Sequence, residues 1–118
     1  MQAKRAMYAV FRTQRFEKEL AKQLSPDEQK QVENFEKKQL KENPYVGDLL
    51  NYPFFREKKV GGKRVYFLIY GDIRAVLMVG ISDKKEQQET IDDIKGRLEE
   101  YHEVIKEAIR QHGEYGPA

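Results

Sequence analysis

Three β-rich runs separated by glycine turns constrain this chain more than any other feature. They are Phe54–Val60, Lys63–Tyr70 and Ile73–Ser82, with Gly61-Gly62 and Gly71-Asp72 between them. Glycine reaches positive φ without steric cost, so each short interval predicts a tight hairpin and the three runs predict an antiparallel meander. The third run is apolar almost throughout, which predicts a strand buried on both faces at the centre of a sheet.

Upstream of the meander the period changes. Tyr8–Thr13 is short and β-rich and predicts an opening strand. Phe16, Leu20 and Leu24 then recur every fourth residue, which predicts an amphipathic helix from Gln14. That helix stops at Ser25-Pro26, and Ser25-Pro-Asp-Glu28 predicts the capped start of another, with proline in its first turn. The second helix carries Val32, Phe35 and Leu40 and ends near Asn43-Pro44, because proline disfavours helical geometry in the residue before it. Residues 44–53 predict a connection. After the meander, Asp83-Lys-Lys-Glu86 predicts a second capping box, and Ile91, Ile94, Leu98, Tyr101, Ile105 and Ala108 predict one continuous helix. About 25 residues of helix would reach nearly 40 Å. The order strand, helix, helix, meander, helix is an α+β arrangement, and 118 residues suit a single domain spanning 1–118, with loose ends at 1–6 and 113–118.

Composition narrows the chemistry. The chain has no cysteine, which removes thiolate metal sites and cysteine nucleophiles and predicts a reducing, cytoplasmic setting. Its start has basic residues but no apolar stretch of the kind an export signal needs, and no run approaches the roughly 20 apolar residues of a spanning helix. A net charge of +2 hides an uneven distribution. In residues 1–24, Lys4, Arg5, Arg12, Arg15, Lys18 and Lys22 face only Glu17 and Glu19; in 54–64, Arg56, Lys58, Lys59, Lys63 and Arg64 face only Glu57. This distribution fits a polyanion-binding face on an otherwise near-neutral protein, although for any single cation a solvated surface position is the commoner explanation.

Elimination removes most catalytic schemes. The only serines are Ser25 and Ser82 and the only threonines Thr13 and Thr90. His102 and His112 stand ten apart, off the spacing that puts two ligands on one helical face, so neither metal nor cofactor is expected. Asp92-Asp93 and Glu99-Glu100 read as solvated helix faces. What remains is Arg56, Lys58 and Arg64, with Lys84 and Lys85 at the mouth of the last helix. Arginine grips phosphate in a two-pronged geometry, and lysine in a crowded cationic site can serve as a base. This inventory permits metal-free RNA cleavage. Hairpin register decides whether it assembles. A two-residue turn at Gly61-Gly62 pairs Val60 with Lys63 and points Arg56 and Lys58 away from Arg64. A three-residue loop pairs Val60 with Arg64 and aligns Arg56, Lys58, Arg64 and Tyr66 on one face, so an RNA-cleaving site built on these four predicts the longer loop.

The element order, together with Phe55-Arg-Glu-Lys58, Gly-Lys-Arg64-Val-Tyr66 and Ile81-Ser-Asp-Lys-Lys85, resembles the RelE/ParE superfamily of type II toxin–antitoxin systems, over roughly residues 8–98. The resemblance implies a RelE-like fold and the toxin of a toxin–antitoxin pair, neutralised by a separate antitoxin chain. For RelE-like members it implies cleavage of ribosome-bound messenger RNA, the ribose 2′-hydroxyl attacking the adjacent phosphate. Carried over by position are Arg56 and Lys58 on one strand, Arg64 on the next and Lys85 after the last. Lys58 is the candidate base, Arg64 and Lys85 stabilise charge on the phosphate, and Arg56 binds substrate, with Lys84 and a compensating tyrosine, Tyr66 or Tyr70, added to it from their own places in the chain. Two positions depart from the pattern. Ile91 stands where some members carry a catalytic tyrosine, and Lys85 where the best-matched pattern has arginine. The alternative is therefore a non-catalytic, ParE-like or degenerate member that binds protein or nucleic acid. The apolar seam from Ile91 to Ala108 leaves the oligomeric state open.

Overall fold

The computed structural model describes residues 7–115, with side chains to residue 112; the expected loose ends at 1–6 and 116–118 lie outside the described residues. A five-stranded sheet of order β1-β5-β4-β3-β2 forms its centre. The strands are β1 (Ala9–Arg12), β2 (Asp48–Leu50), β3 (Tyr52–Val60), β4 (Lys63–Tyr70) and β5 (Ala75–Asp83). β3, β4 and β5 form the predicted meander, and β1 joins β5 in parallel, so the apolar β5 is central. The short strand β2 lies within the stretch 44–53 read as a plain connection; it pairs antiparallel with β3 at the sheet edge.

Helices cover both faces. On one side lie α1 (Gln14–Gln23) and α2 (Pro26–Asn34), which continues as a π-helical segment, Phe35–Leu40. Phe16, Leu20, Val32 and Leu40 pack there against Val65, Phe67, Val76 and Met78. On the other side α3 (Gln87–Lys95) and α4 (Leu98–Tyr115) bury Ile91, Ile94, Tyr101 and Ile105 against Phe55, Tyr66, Leu68 and Leu77. Each such buried side chain contributes roughly 1.5–3 kcal/mol. The Ser25 capping box forms as predicted, Ser25 Oγ accepting from Glu28 N–H and Glu28 accepting from Ser25 N–H.

Three local readings are corrected. The last helix is two helices, interrupted at Gly96-Arg97, where Gly96 closes α3 by donating its N–H to Asp92 O at 3.0 Å. The second box is half made: Asp83 Oδ1 accepts from Glu86 N–H at 2.9 Å, but residues 84–86 turn and the helix starts at Gln87. The helical backbone continues through Gly113 to Tyr115, where fraying was expected. Among the described residues no helix is long and apolar enough to cross a membrane.

Candidate functional site on the inner face of the meander

The turn between β3 and β4 is the two-residue one. Val60 pairs with Lys63 across Gly61-Gly62, with Gly61 at φ +59°, which corrects the longer loop that a site of Arg56, Lys58, Arg64 and Tyr66 required. Paired residues share a face, so the register puts Arg64 beside Lys59 and Tyr66 beside Glu57. These face α3 and α4. By alternation Arg56 and Lys58 point to the α1–α2 side, Arg56 over the ring of Tyr45 and Lys58 over that of Phe35. The hairpin thus divides the six predicted site residues: Arg64 and Tyr66 come together, and Arg56 and Lys58 do not join them.

Around Arg64 and Tyr66 lies a buried polar cluster that sequence reasoning missed. Glu57 is 3 % exposed, accepts from Gln87 Nε2 at 2.8 Å and lies 3.6 Å from Arg64 Nε. The Arg64 side chain is 13 % exposed, and its Nε–H is buried without a hydrogen-bond partner among the described residues. Such an orphaned donor is uncommon in a folded interior. A bulge in β5 between the partners of Tyr66 and Phe67 turns Ser82 to the same side, opposite Arg64. Ser82 Oγ donates to Asp83 O at 2.9 Å, so its lone pair receives the Tyr66 hydroxyl 2.8 Å away. Burial holds the Tyr66 phenol above its usual range, keeping it protonated at neutral pH.

Lys84 and Lys85 are exposed in the turn after β5, just beyond Ser82 and Asp83, which pair with Arg64 and Lys63. They stand at the same end of the sheet as the cluster. Lys59, also exposed, is the strand partner of Arg64. Glu57 and Lys59 could have been found from the two-residue turn, because alternation alone assigns them to the Arg64 face. Ile91, at the position aligned with a tyrosine, is buried in the core. Among the described residues no group of three or more histidine, aspartate or glutamate side chains is arranged to hold a metal.

Arg12 and Arg15 of the basic N-terminal run are engaged away from this face. Arg12 meets Glu36 through two hydrogen bonds of 2.9 and 2.7 Å, and Arg15 bonds Asp93 at 2.6 Å and Glu19 at 3.0 Å. Arg15, Glu19, Asp93 and Arg97 line a groove of about 960 Å³ between α1 and α3–α4 that contains none of Glu57, Arg64 or Tyr66. Its charges largely satisfy one another.

A mixed sheet with a helical hairpin on one face and C-terminal helices on the other defines the class: this is the fold of the RelE toxins. Solved structures share it. RelBE2, a toxin–antitoxin complex of Mycobacterium tuberculosis, contains a chain that matches at 20 % identity and TM-score 0.55, over 70 % of this chain and 98 % of that one. The intact Escherichia coli RelBE complex matches at 19 % and 0.56, over 64 % and 95 %. A mutant of E. coli RelE in the free state matches at 16 % and 0.61, over 74 % and 92 %. At these identities it is the fold that is shared. Neither a protein-family model nor a curated protein matches the sequence.

Proposed function

We propose that this chain is the toxin of a type II toxin–antitoxin pair, acting in the cytoplasm as a metal-free endoribonuclease on ribosome-bound messenger RNA and silenced by a separate antitoxin chain. The observation that carries the reading is Arg64, largely buried, its Nε ion-paired with Glu57 at 3.6 Å and its guanidinium making no hydrogen bond among the described residues, set beside Lys59 and Tyr66 on the inner face of a RelE-like meander. With Nε turned to Glu57, the terminal guanidinium nitrogens, which make no hydrogen bond among the described residues, are the donors that suit a phosphate oxygen. In this scheme the ribose 2′-hydroxyl attacks the adjacent phosphate, leaving a cyclic phosphate and a free 5′-hydroxyl. Lys59 replaces Lys58 as the residue assigned to accept the 2′-hydroxyl proton, since it is the lysine beside Arg64. Arg64 and Lys85 stabilise the charge developing on phosphate, with Lys84 and Tyr66 at the margin of the substrate. Glu57, fixed by Gln87, orients Arg64 from beneath. The ribosome supplies the remaining alignment, and orientation alone lowers such barriers by several kcal/mol.

Messenger RNA, alone and on programmed ribosomes, is incubated with the protein and new 5′ ends are mapped by primer extension. Cuts are expected on the ribosome, reduced roughly 100-fold or more in Arg64→Ala, with a larger loss in Lys59→Ala than in Lys58→Ala. The burial of Ile91 in the core favours a second reading, a non-catalytic protein- or nucleic-acid-binding module. Folded protein that makes no cuts in either mixture would establish that reading over the first.

A further inference from the structure

The hairpin leaves Arg56 and Lys58 on the face away from Arg64, and what they meet there forms an ordered strip. Tyr52, Phe54, Arg56 and Lys58 alternate along β3 and therefore share one face, over about 20 Å of strand. Tyr52 stacks on Phe54 with centroids 5.0 Å apart and rings 5° from parallel. The Arg56 guanidinium lies 5.8 Å from the Tyr45 ring centroid and is tethered by Nε–H donating to Pro53 O at 2.8 Å. Lys58 Nζ lies 5.2 Å from the Phe35 ring centroid. Tyr45 and Tyr52 are 44 % and 38 % exposed, large aromatic surfaces left to solvent. Among the described residues neither Arg56 nor Lys58 makes an ion pair, whereas Arg12, Arg15 and Arg97 all do.

We propose that this strip, Tyr45, Tyr52, Arg56 and Lys58, binds an unpaired RNA strand at a second site on the opposite side of the sheet from Arg64. The choice of RNA as the polynucleotide rests on the function proposed above; the strip itself rests on its own geometry. Single-stranded nucleic acid is held by cations that track phosphates and by aromatic rings on which bases stack, and sequence matters little to either. The strip offers both on one face of β3, the aromatic rings of Tyr52 and Phe54 leading into the cations Arg56 and Lys58. Its cation–π contacts hold the charged groups in place before binding, so less side-chain freedom is lost when phosphate arrives. Such a site would grip RNA beside the cleaved segment without taking part in chemistry.

The test uses a fluorescent single-stranded oligonucleotide with 2′-O-methyl riboses, which cannot be cut by 2′-hydroxyl attack, titrated with the full chain at several salt concentrations and read by anisotropy. Arg56→Ala/Lys58→Ala is expected to lower the slope of log affinity against log salt by about 1.4, two phosphate contacts at roughly 0.7 each. Lys18→Ala/Lys106→Ala removes two cations elsewhere and leaves the slope unchanged. Tyr52→Ala weakens binding roughly five-fold or more while Tyr52→Phe retains it, as loss of one stacked base requires. A duplex of the same length binds more weakly, because its bases are not free to stack. Variants that melt like wild type and bind with unaltered slope and affinity would overturn the proposal and give the face to a protein partner; so would equal affinity for the duplex. Because the probe is uncleavable, failure of cleavage on ribosomes and failure of this strip are read separately.

Discussion

Glu57 is the residue whose removal should be felt most. It is almost fully buried, and its two carboxylate oxygens are divided between Gln87, at 2.8 Å, and Arg64, at 3.6 Å. Removing one member of a buried ion pair leaves the other charge desolvated without compensation, at a cost of roughly 3–5 kcal/mol. Glu57→Leu is therefore expected to lower unfolding free energy by about 3 kcal/mol in urea denaturation, and Glu57→Gln by less, because its amide oxygen still accepts from Gln87. A Glu57→Leu protein as stable as wild type would show that Arg64 needs no counter-charge. Part of this site was legible in sequence. Arg64 and Tyr66 stand out by residue type and spacing, and they do meet. Glu57 was hidden because a single acid among five cations looks like charge balance. Its burial follows from Phe67 and Val65 claiming the opposite face, a tertiary fact. Arg56 and Lys58 were misplaced by the turn: one extra loop residue would have reversed every side chain beyond it, and composition cannot choose between two residues and three.

Between elements, the junction of β2 with β3 supports the cluster from outside. Gly47, just before β2, has φ +80°, and a Cβ built there would lie 2.5 Å from the carbonyl oxygen of Glu57. Gly47→Ala must therefore shift β3 at the site or distort the loop, and either costs roughly 1–3 kcal/mol. The expected outcome is a lower urea midpoint than wild type, accompanied by loss of cleavage. Gly62→Ala, where nothing lies within 4 Å, provides the comparison. An unchanged midpoint in Gly47→Ala would mean that the strand yields freely there. The larger elements announced themselves because periodicity and punctuation agreed, as at Ser25-Pro26 and Gly61-Gly62. Two features had no such signal. Ile94, Leu98, Tyr101 and Ile105 keep helical spacing across the break at Gly96-Arg97, because both helices present the same seam to one sheet face. The π-helical segment turns Glu36 inward, where it meets Arg12 from β1, and that partner is 24 residues away.

At the scale of the whole molecule, the covalent order leaves α1 and α3–α4 on opposite sides of the sheet, and ion pairs link them around its edge. Arg15 on α1 donates to Asp93 on α3 at 2.6 Å, and Arg97 reaches the same carboxylate at 3.1 Å. The Arg15 hydrogen bond first, and Arg97 with it, hold the Asp93 carboxyl below its usual pKa of 3.8. A carboxylate with a depressed folded pKa stabilises the fold at every pH above its unfolded value and loses that contribution as pH falls through the folded value. Wild type should thus melt above Asp93→Asn at neutral pH, with the gap narrowing once pH drops below about 4 and closing in stronger acid. Asp93 is 36 % exposed in its side chain, so added salt should shrink the neutral-pH gap as well. Thermal melts of both proteins from pH 7 to pH 2, at low and high salt, supply the measurement. A gap that stays constant over that range would assign the Asp93 contribution to packing and leave the two faces of the sheet joined by the core alone.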